Sequence, residues 1–261
     1  MIVEPKREIL LLPLLRVGLR RSWAARDHLL RLSVVPVVII VALLAPLNRR
    51  MEMIFAAQGA QPETVDPNVA LQVLLLTLGC AVAVSNFAVN WLRQLTLGPA
   101  GAPGLGIGVA PRHFRFLLFM VGLSLLSGLL GSVLLAVLSS TGFGIVGGMA
   151  ALMGSGLIWG ALMVRLSPSW IGIALDAPMP LAVAWRRTGG SGFKLLVAML
   201  AIEVPLLLLY QLIWAIFAIT GLLNAAPLTF LLFTAAFQLI GTAAQLAILV
   251  TAFPYFLRET V

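Results

Sequence analysis

The chain has 261 residues, of which 61% are hydrophobic and only 10% charged, and it carries a net charge of +8. A soluble domain carries about 25% charged residues, so this composition excludes a water-soluble globular enzyme. The excess of Lys and Arg reads as the positive-inside bias of a membrane protein. No nucleic-acid motif accompanies it, so no nucleic-acid partner is expected.

In chain order, residues 1–31 read as a cytoplasmic, interfacial segment. Lys6, Arg7, Arg16, Arg20, Arg21, Arg26 and Arg31 make it too long and too charged for the n-region of a signal peptide, so the first apolar run is expected to be retained. Over residues 6–26, Ile9, Leu10, Leu12, Leu15, Leu19 and Trp23 interleave with arginines. That pattern predicts an amphipathic helix lying in the membrane interface, kinked or divided at Pro13.

Residues 32–253 read as a six-span domain, because runs of about 18 or more apolar residues are long enough to cross a bilayer. The first span covers 32–47 and is about 24 Å long against a core of about 30 Å. A polar loop follows over 48–68, then a second span over 70–91 and a Gly/Pro-rich loop over 93–113. The third span, 114–138, and the fourth, 143–164, are joined by a tight turn. The loop 165–194 contains Pro168, Pro178 and Pro180, and a short helix is predicted over 180–187, ended by Gly189 and Gly190. The fifth span covers 195–222 and the sixth 228–253, which leaves 254–261 as a short cytoplasmic tail. The predicted fold is therefore an all-α, polytopic transmembrane helical bundle.

Charge sets the expected orientation. With the amino terminus inside, only Arg49 and Arg50 of the 17 basic residues fall outside. This asymmetry predicts an even number of spans and two cytoplasmic termini, as in a bacterial inner-membrane protein. Trp23, Trp91, Trp170 and Trp185 fall where an aromatic belt is expected. Transmembrane helices pack through small residues that let backbones approach. Ser124, Gly128 and Ser132, with Ser127 and Gly131 beside them, and Gly144, Gly148, Gly156 and Gly160 predict a tight hairpin between the third and fourth spans.

Chemistry is sparse in the sequence. The single cysteine, Cys80, excludes an intrachain disulfide and a two-cysteine metal site. His28 and His113 lie beside arginines in polar breaks and read as solvated or headgroup-facing; the scattered acids, Asp176 among them, read as solvated. No zinc-protease, phosphate-loop, nucleophile-elbow or dinucleotide motif is present. The reading therefore assigns no catalytic residue, cofactor or metal.

Glu203 is the exception. It lies nine residues past Lys194, about 13–14 Å from the cytoplasmic end, where an ionised carboxylate costs several kcal/mol unless paired or protonated. It is expected to face the bundle interior. Asn86 and Gln245 reach similar depths and are its candidate partners, with Gln211 and Gln238 forming a second polar layer. At the interface, Arg165, Trp185, Arg186 and Arg187 form a candidate patch for lipid phosphate, which arginine binds bidentately.

Two loop motifs carry a resemblance. Phe87-Ala88-Val89-Asn90-Trp91-Leu92-Arg93, running to Leu97-Gly98, closes the second span. Val164-Arg165-Leu166-Ser167 closes the fourth, followed by Pro178 and Ala184-Trp185-Arg186-Arg187-Thr188-Gly189-Gly190. Together they resemble a family of bacterial six-span membrane proteins of obscure function, similar to the membrane domain of glycerophosphoryl diester phosphodiesterases and to YciC-like proteins. Leu92 and Pro99 stand where that pattern often has a histidine and a glutamate. The resemblance implies a six-span fold; the phosphodiesterase barrel is not among the matching segments, so its hydrolase activity is not carried over.

The function expected first is that of a non-enzymatic inner-membrane scaffold, assembly or accessory factor, with membrane lipid, in particular anionic lipid, and another membrane protein as partners. The alternative is a small-molecule or lipid transporter using Glu203. A lipid-processing membrane enzyme is the third reading.

Overall fold

The computed structural model describes residues 10–60, 67–102, 107–140 and 144–257. Among them the chain is helical without strands, as the apolar runs require: a backbone in lipid must satisfy its own hydrogen bonds. The elements are α1 (Leu11–Ala24), α2 (Arg26–Ala60), α3 (Pro67–Leu97), α4 (Pro111–Ser140), α5 (Gly144–Arg165), α6 (Ser167–Ala174), α7 (Leu181–Arg187), α8 (Gly192–Ile219), α9 (Leu222–Ala225) and α10 (Pro227–Leu257).

Five of these, α2, α3, α4, α8 and α10, are long and apolar enough to cross a membrane. α5 and α6 bend by 60° at their junction, and taken together as one broken span they are long and apolar enough to make a sixth crossing. Pro168 sits in the first turn of α6, where a missing N–H costs nothing, so the segment read as loop starts a new helix instead. The short helix expected over 180–187 is α7, with Pro180 before its first residue.

The first two helices also depart from expectation. Pro13 lies in the first turn of α1 and does not divide it, and the break falls at Ala25. From Arg26 one continuous helix runs to Ala60, past the predicted end of the span. Met, Glu, Ala and Gln dominate residues 51–60, and their strong helix propensity outweighs their polarity. The boundary drawn between residues 31 and 32 therefore falls inside α2, and Pro254 lies inside α10 rather than beyond it.

α10 is the axis of the bundle and packs against α1, α2, α3, α6 and α8. Its half nearer the arginine-rich end is buried from Gly241 through Ala243, Leu246 to Val250, and Phe253. α1 lies across it rather than floating free. Leu14 and Gly18 are buried, and a Cβ on Gly18 would lie 3.0 Å from the Ile248 Cα, so glycine lets the two backbones approach this closely. The opposite face of α1 exposes Leu12, Val17, Leu19 and Trp23, which suits a helix half sunk in an interface. Arg21 Nη2 donates to the Leu95 carbonyl at 3.0 Å and ties α1 to the end of α3.

The predicted α4–α5 hairpin is present, and of the small residues expected to make it Gly131 is in the contact, facing Ser155 beside Gly154. A Cβ on Gly131 would lie 3.0 Å from the Ser155 Cβ, and one on Gly154 would overlap Leu134. Gly128, Gly148 and Gly156 face open space, and Gly160 meets Leu196 of α8 at 3.2 Å. Small-residue spacing names the helix pair; the crossing geometry chooses the face.

Candidate functional site

Polar side chains gather in three places. The first is at the arginine-rich end. Asn86, Asn90 and Arg93 are spaced i, i+4, i+7 on α3, so they share one face. Asn86 Nδ2 donates to the Gly108 carbonyl at 2.8 Å, and its Oδ1 accepts from the Gly108 N–H at 2.9 Å. Asn90, fully buried, donates to Asn86 Oδ1 at 3.0 Å. His113 Nε2 lies 3.2 Å from Asn90 Oδ1, and its Nδ1 lies 3.3 Å from the Ala110 carbonyl. The ring rests on Gly108, where any side chain would collide with it.

Arg93 continues the network. Its Nε donates to the Gly101 carbonyl at 2.7 Å, and Nη1 donates to the Ala174 carbonyl at 3.2 Å and to Asp176 Oδ2 at 2.9 Å. Arg112 Nη1 reaches the same Asp176 oxygen at 2.6 Å. Asp176 has φ +60°, a left-handed conformation that Asp tolerates better than most residues. The chain turns there because the Ala177 N–H closes on the Gly172 carbonyl at 2.8 Å, and the Ala177 carbonyl passes where a Gly172 side chain would stand. One network thus binds α3, the glycine-rich loop, α4 and the end of α6.

This corrects two expectations and extends a third. Asn86 pairs with Asn90 and the Gly108 backbone rather than with Glu203. His113 is buried, not headgroup-facing, while Asp176 stays half exposed, as a solvated acid, and also pairs with Arg93 and Arg112. The asparagine–arginine stripe on α3 was the available signal. The partners arriving from two loops carried none.

The second place is the predicted basic patch. The Arg165 guanidinium stacks on Trp185, its carbon 4.7 Å from the ring centroid. Its Nη1 is buried without a hydrogen-bond partner, and Gly189 and Gly192 leave the room it occupies. Thr188, fully buried, donates to the Arg165 carbonyl at 2.9 Å. Arg187 is not available to a ligand in the same way, because its Nη1 donates to the Phe256 carbonyl at 2.7 Å and staples α7 to α10. Arg186 is exposed, with Nε near the Ala182 carbonyl. Of the four residues, Arg165, Trp185 and Arg186 present a surface. Trp185 and Trp23 stand exposed as an aromatic belt requires. Trp91 and Trp170 do not: both are fully buried, and their indole N–H groups donate to the Ala243 and Met163 carbonyls at 3.0 Å.

The third place surrounds Glu203. Gln245 Nε2 donates a short hydrogen bond to Glu203 Oε2, so this expected pair forms. Glu203 nevertheless does not face the bundle interior. It is exposed and lines a groove of about 340 Å³ between α8 and α10, open to the side. The reason is the packing of α10, whose opposite faces are filled by apolar contacts with α1, α2 and α3. Gln238 shares the groove, while Gln211 does not line it. Toward the far end, Tyr210 and Phe217 of α8 interleave with Phe230, Phe233 and Phe237 of α10 and close the two helices together.

Among the described residues no group of three His, Cys, Asp or Glu side chains is placed to hold a metal. Comparison with protein-family models, with curated proteins and with solved structures finds no match. The long apolar helices and their exposed leucines define an all-α, polytopic integral membrane protein.

Proposed function

We propose that the protein is a non-enzymatic scaffold or accessory factor of a bacterial inner membrane, with both termini cytoplasmic, akin to the six-span family its loop motifs resemble. The observation that carries this is how the polar groups at the arginine-rich end are spent. Asn86, Asn90, Arg93, Arg112, His113, Asp176 and Arg187 pair with one another or with backbone carbonyls from separate helices. Groups held in this way brace loops into a rigid face and leave no nucleophile beside a base. The charges left over, on Arg165 and Arg186, suit lipid phosphate.

One experiment tests the reading. Single cysteines replace Ala60, Val109 and Ala177 in a Cys80→Ser background. An impermeant maleimide should label position 60 from outside and positions 109 and 177 from inside. A photoactivatable maleimide at 109 and 177 should then yield a discrete adduct with a second membrane protein, and Arg165→Gln/Arg186→Gln should reduce copurifying anionic phospholipid. Reversed labelling sinks the orientation; adducts with lipid alone at both positions sink the scaffold.

A second reading, a small-molecule or lipid transporter, is favoured by the groove that holds Glu203 and Gln245. It requires solute uptake into proteoliposomes that Glu203→Gln abolishes. Uptake equal in both proteins eliminates it.

A further inference from the structure

The groove between α8 and α10 sets one carboxylate, Glu203, among lining residues that are otherwise uncharged. Glu203 brings a carboxylate that, among the described residues, accepts a hydrogen bond from Gln245. Gln245 spends that donor on it, and Thr242 donates its hydroxyl to the Gln238 carbonyl at 2.9 Å. Pro205 has no N–H, so the Ala201 carbonyl, in the same turn as Glu203, has no helical donor. Thr234 adds a buried hydroxyl without a partner on the groove wall. Tyr210 of α8 and Phe237 of α10 meet across the groove with centroids 5.8 Å apart and give one side of it an apolar, aromatic lining.

A carboxylate at this depth is costly until a positive charge or a proton joins it. A ligand matching this surface brings a positive charge with N–H donors for the carboxylate, and an apolar body for the aromatic and aliphatic lining. We propose that the groove binds a primary ammonium group carried on an apolar tail. The ammonium pairs with Glu203, its remaining N–H bonds go to neighbouring acceptors, and the tail leaves through the open side into lipid. A volume of about 340 Å³ holds such a head and a few methylenes, at the small end of ligand sites. This goes beyond the scaffold reading and does not depend on it.

The test uses the full chain in maltoside micelles, which contain no amine. Dansylcadaverine, a primary ammonium on an apolar dye, should bind saturably with a rise in fluorescence. Dodecylammonium should displace it at least ten-fold more effectively than dodecanol. Glu203→Gln should weaken probe binding at least ten-fold. Displacement by added phosphatidylethanolamine assigns the ammonium to a lipid headgroup; displacement by dodecylammonium but not by that lipid assigns it to a free lipophilic amine. Equal displacement by dodecanol, or unchanged binding by a folded Glu203→Gln protein, overturns the proposal. If Glu203→Gln does not fold to a monodisperse species, Gly241→Leu serves instead. Gly241 lines the groove, and a Cβ there meets Leu206 at an ordinary 3.6 Å, so the added side chain fills the space. Unchanged probe affinity in that variant overturns the proposal equally.

Discussion

Trp91→Ala is expected to destabilise the bundle by about 3–5 kcal/mol, the range for removing a large buried aromatic side chain. Trp91 is fully buried, stacks on Phe87 with centroids 6.5 Å apart, and donates to the Ala243 carbonyl on α10 at 3.0 Å. It therefore joins α3 to the central helix by packing and by a hydrogen bond at once. Lipid does not drive helices together as water does, so the loss is one of contact and cavity rather than of transfer. The control is Trp23→Ala. Trp23 is 71% exposed, and substitution there should cost within about 0.5 kcal/mol. Unfolding by rising dodecyl sulfate fraction, followed by circular dichroism, compares the two. Equal shifts for Trp23 and Trp91 would contradict the bridging role.

Arg93→Ala should cost about 2–3 kcal/mol, and most of it should not come from the ion pair. Asp176 is half exposed and keeps Arg112, and exposed pairs contribute about 0–1 kcal/mol. The larger loss is at the Gly101 and Ala174 carbonyls, whose donor disappears; an orphaned buried polar group costs about 1–3 kcal/mol. Asp176→Gly separates these contributions. It removes both ion pairs but relieves a left-handed backbone that costs a residue with a side chain about 1–2 kcal/mol. Its net effect should lie within about 1 kcal/mol of the original protein. The thermal midpoints of the two variants in micelles give the comparison. If Asp176→Gly is as damaging as Arg93→Ala, charge pairing and not carbonyl capture holds the loops.

The candidate sites divide according to whether one helix or several supply the parts. Glu203 and Gln245 were legible because each interrupts an apolar run, and depth counted along two helices brought them level. That count contained no rotation about the helix axis, so it could not tell an interior acid from one beside a lateral groove. Asn86 failed for the same reason: its depth matched Glu203, but its face belongs to Asn90 and Gly108. Arg165 ends α5 and Trp185 lies twenty residues on in α7, so their stacking depends on how the chain folds back between them, with Gly189 and Gly192 leaving room for the guanidinium.

By itself the sequence determined that the chain is a membrane-embedded helical bundle and placed its main spans, because hydropathy and helix length are properties of one segment against a bilayer of known thickness. Tertiary structure alone decided that α10 is the axis, that Gly131 and Gly154 rather than Gly128 and Gly156 bring α4 and α5 together, and that His113 and Asp176 are structural partners. These depend on which face of each helix meets which neighbour. In lipid, where apolar faces are nearly equivalent, that choice is made by close packing and by the few polar groups that must find one another.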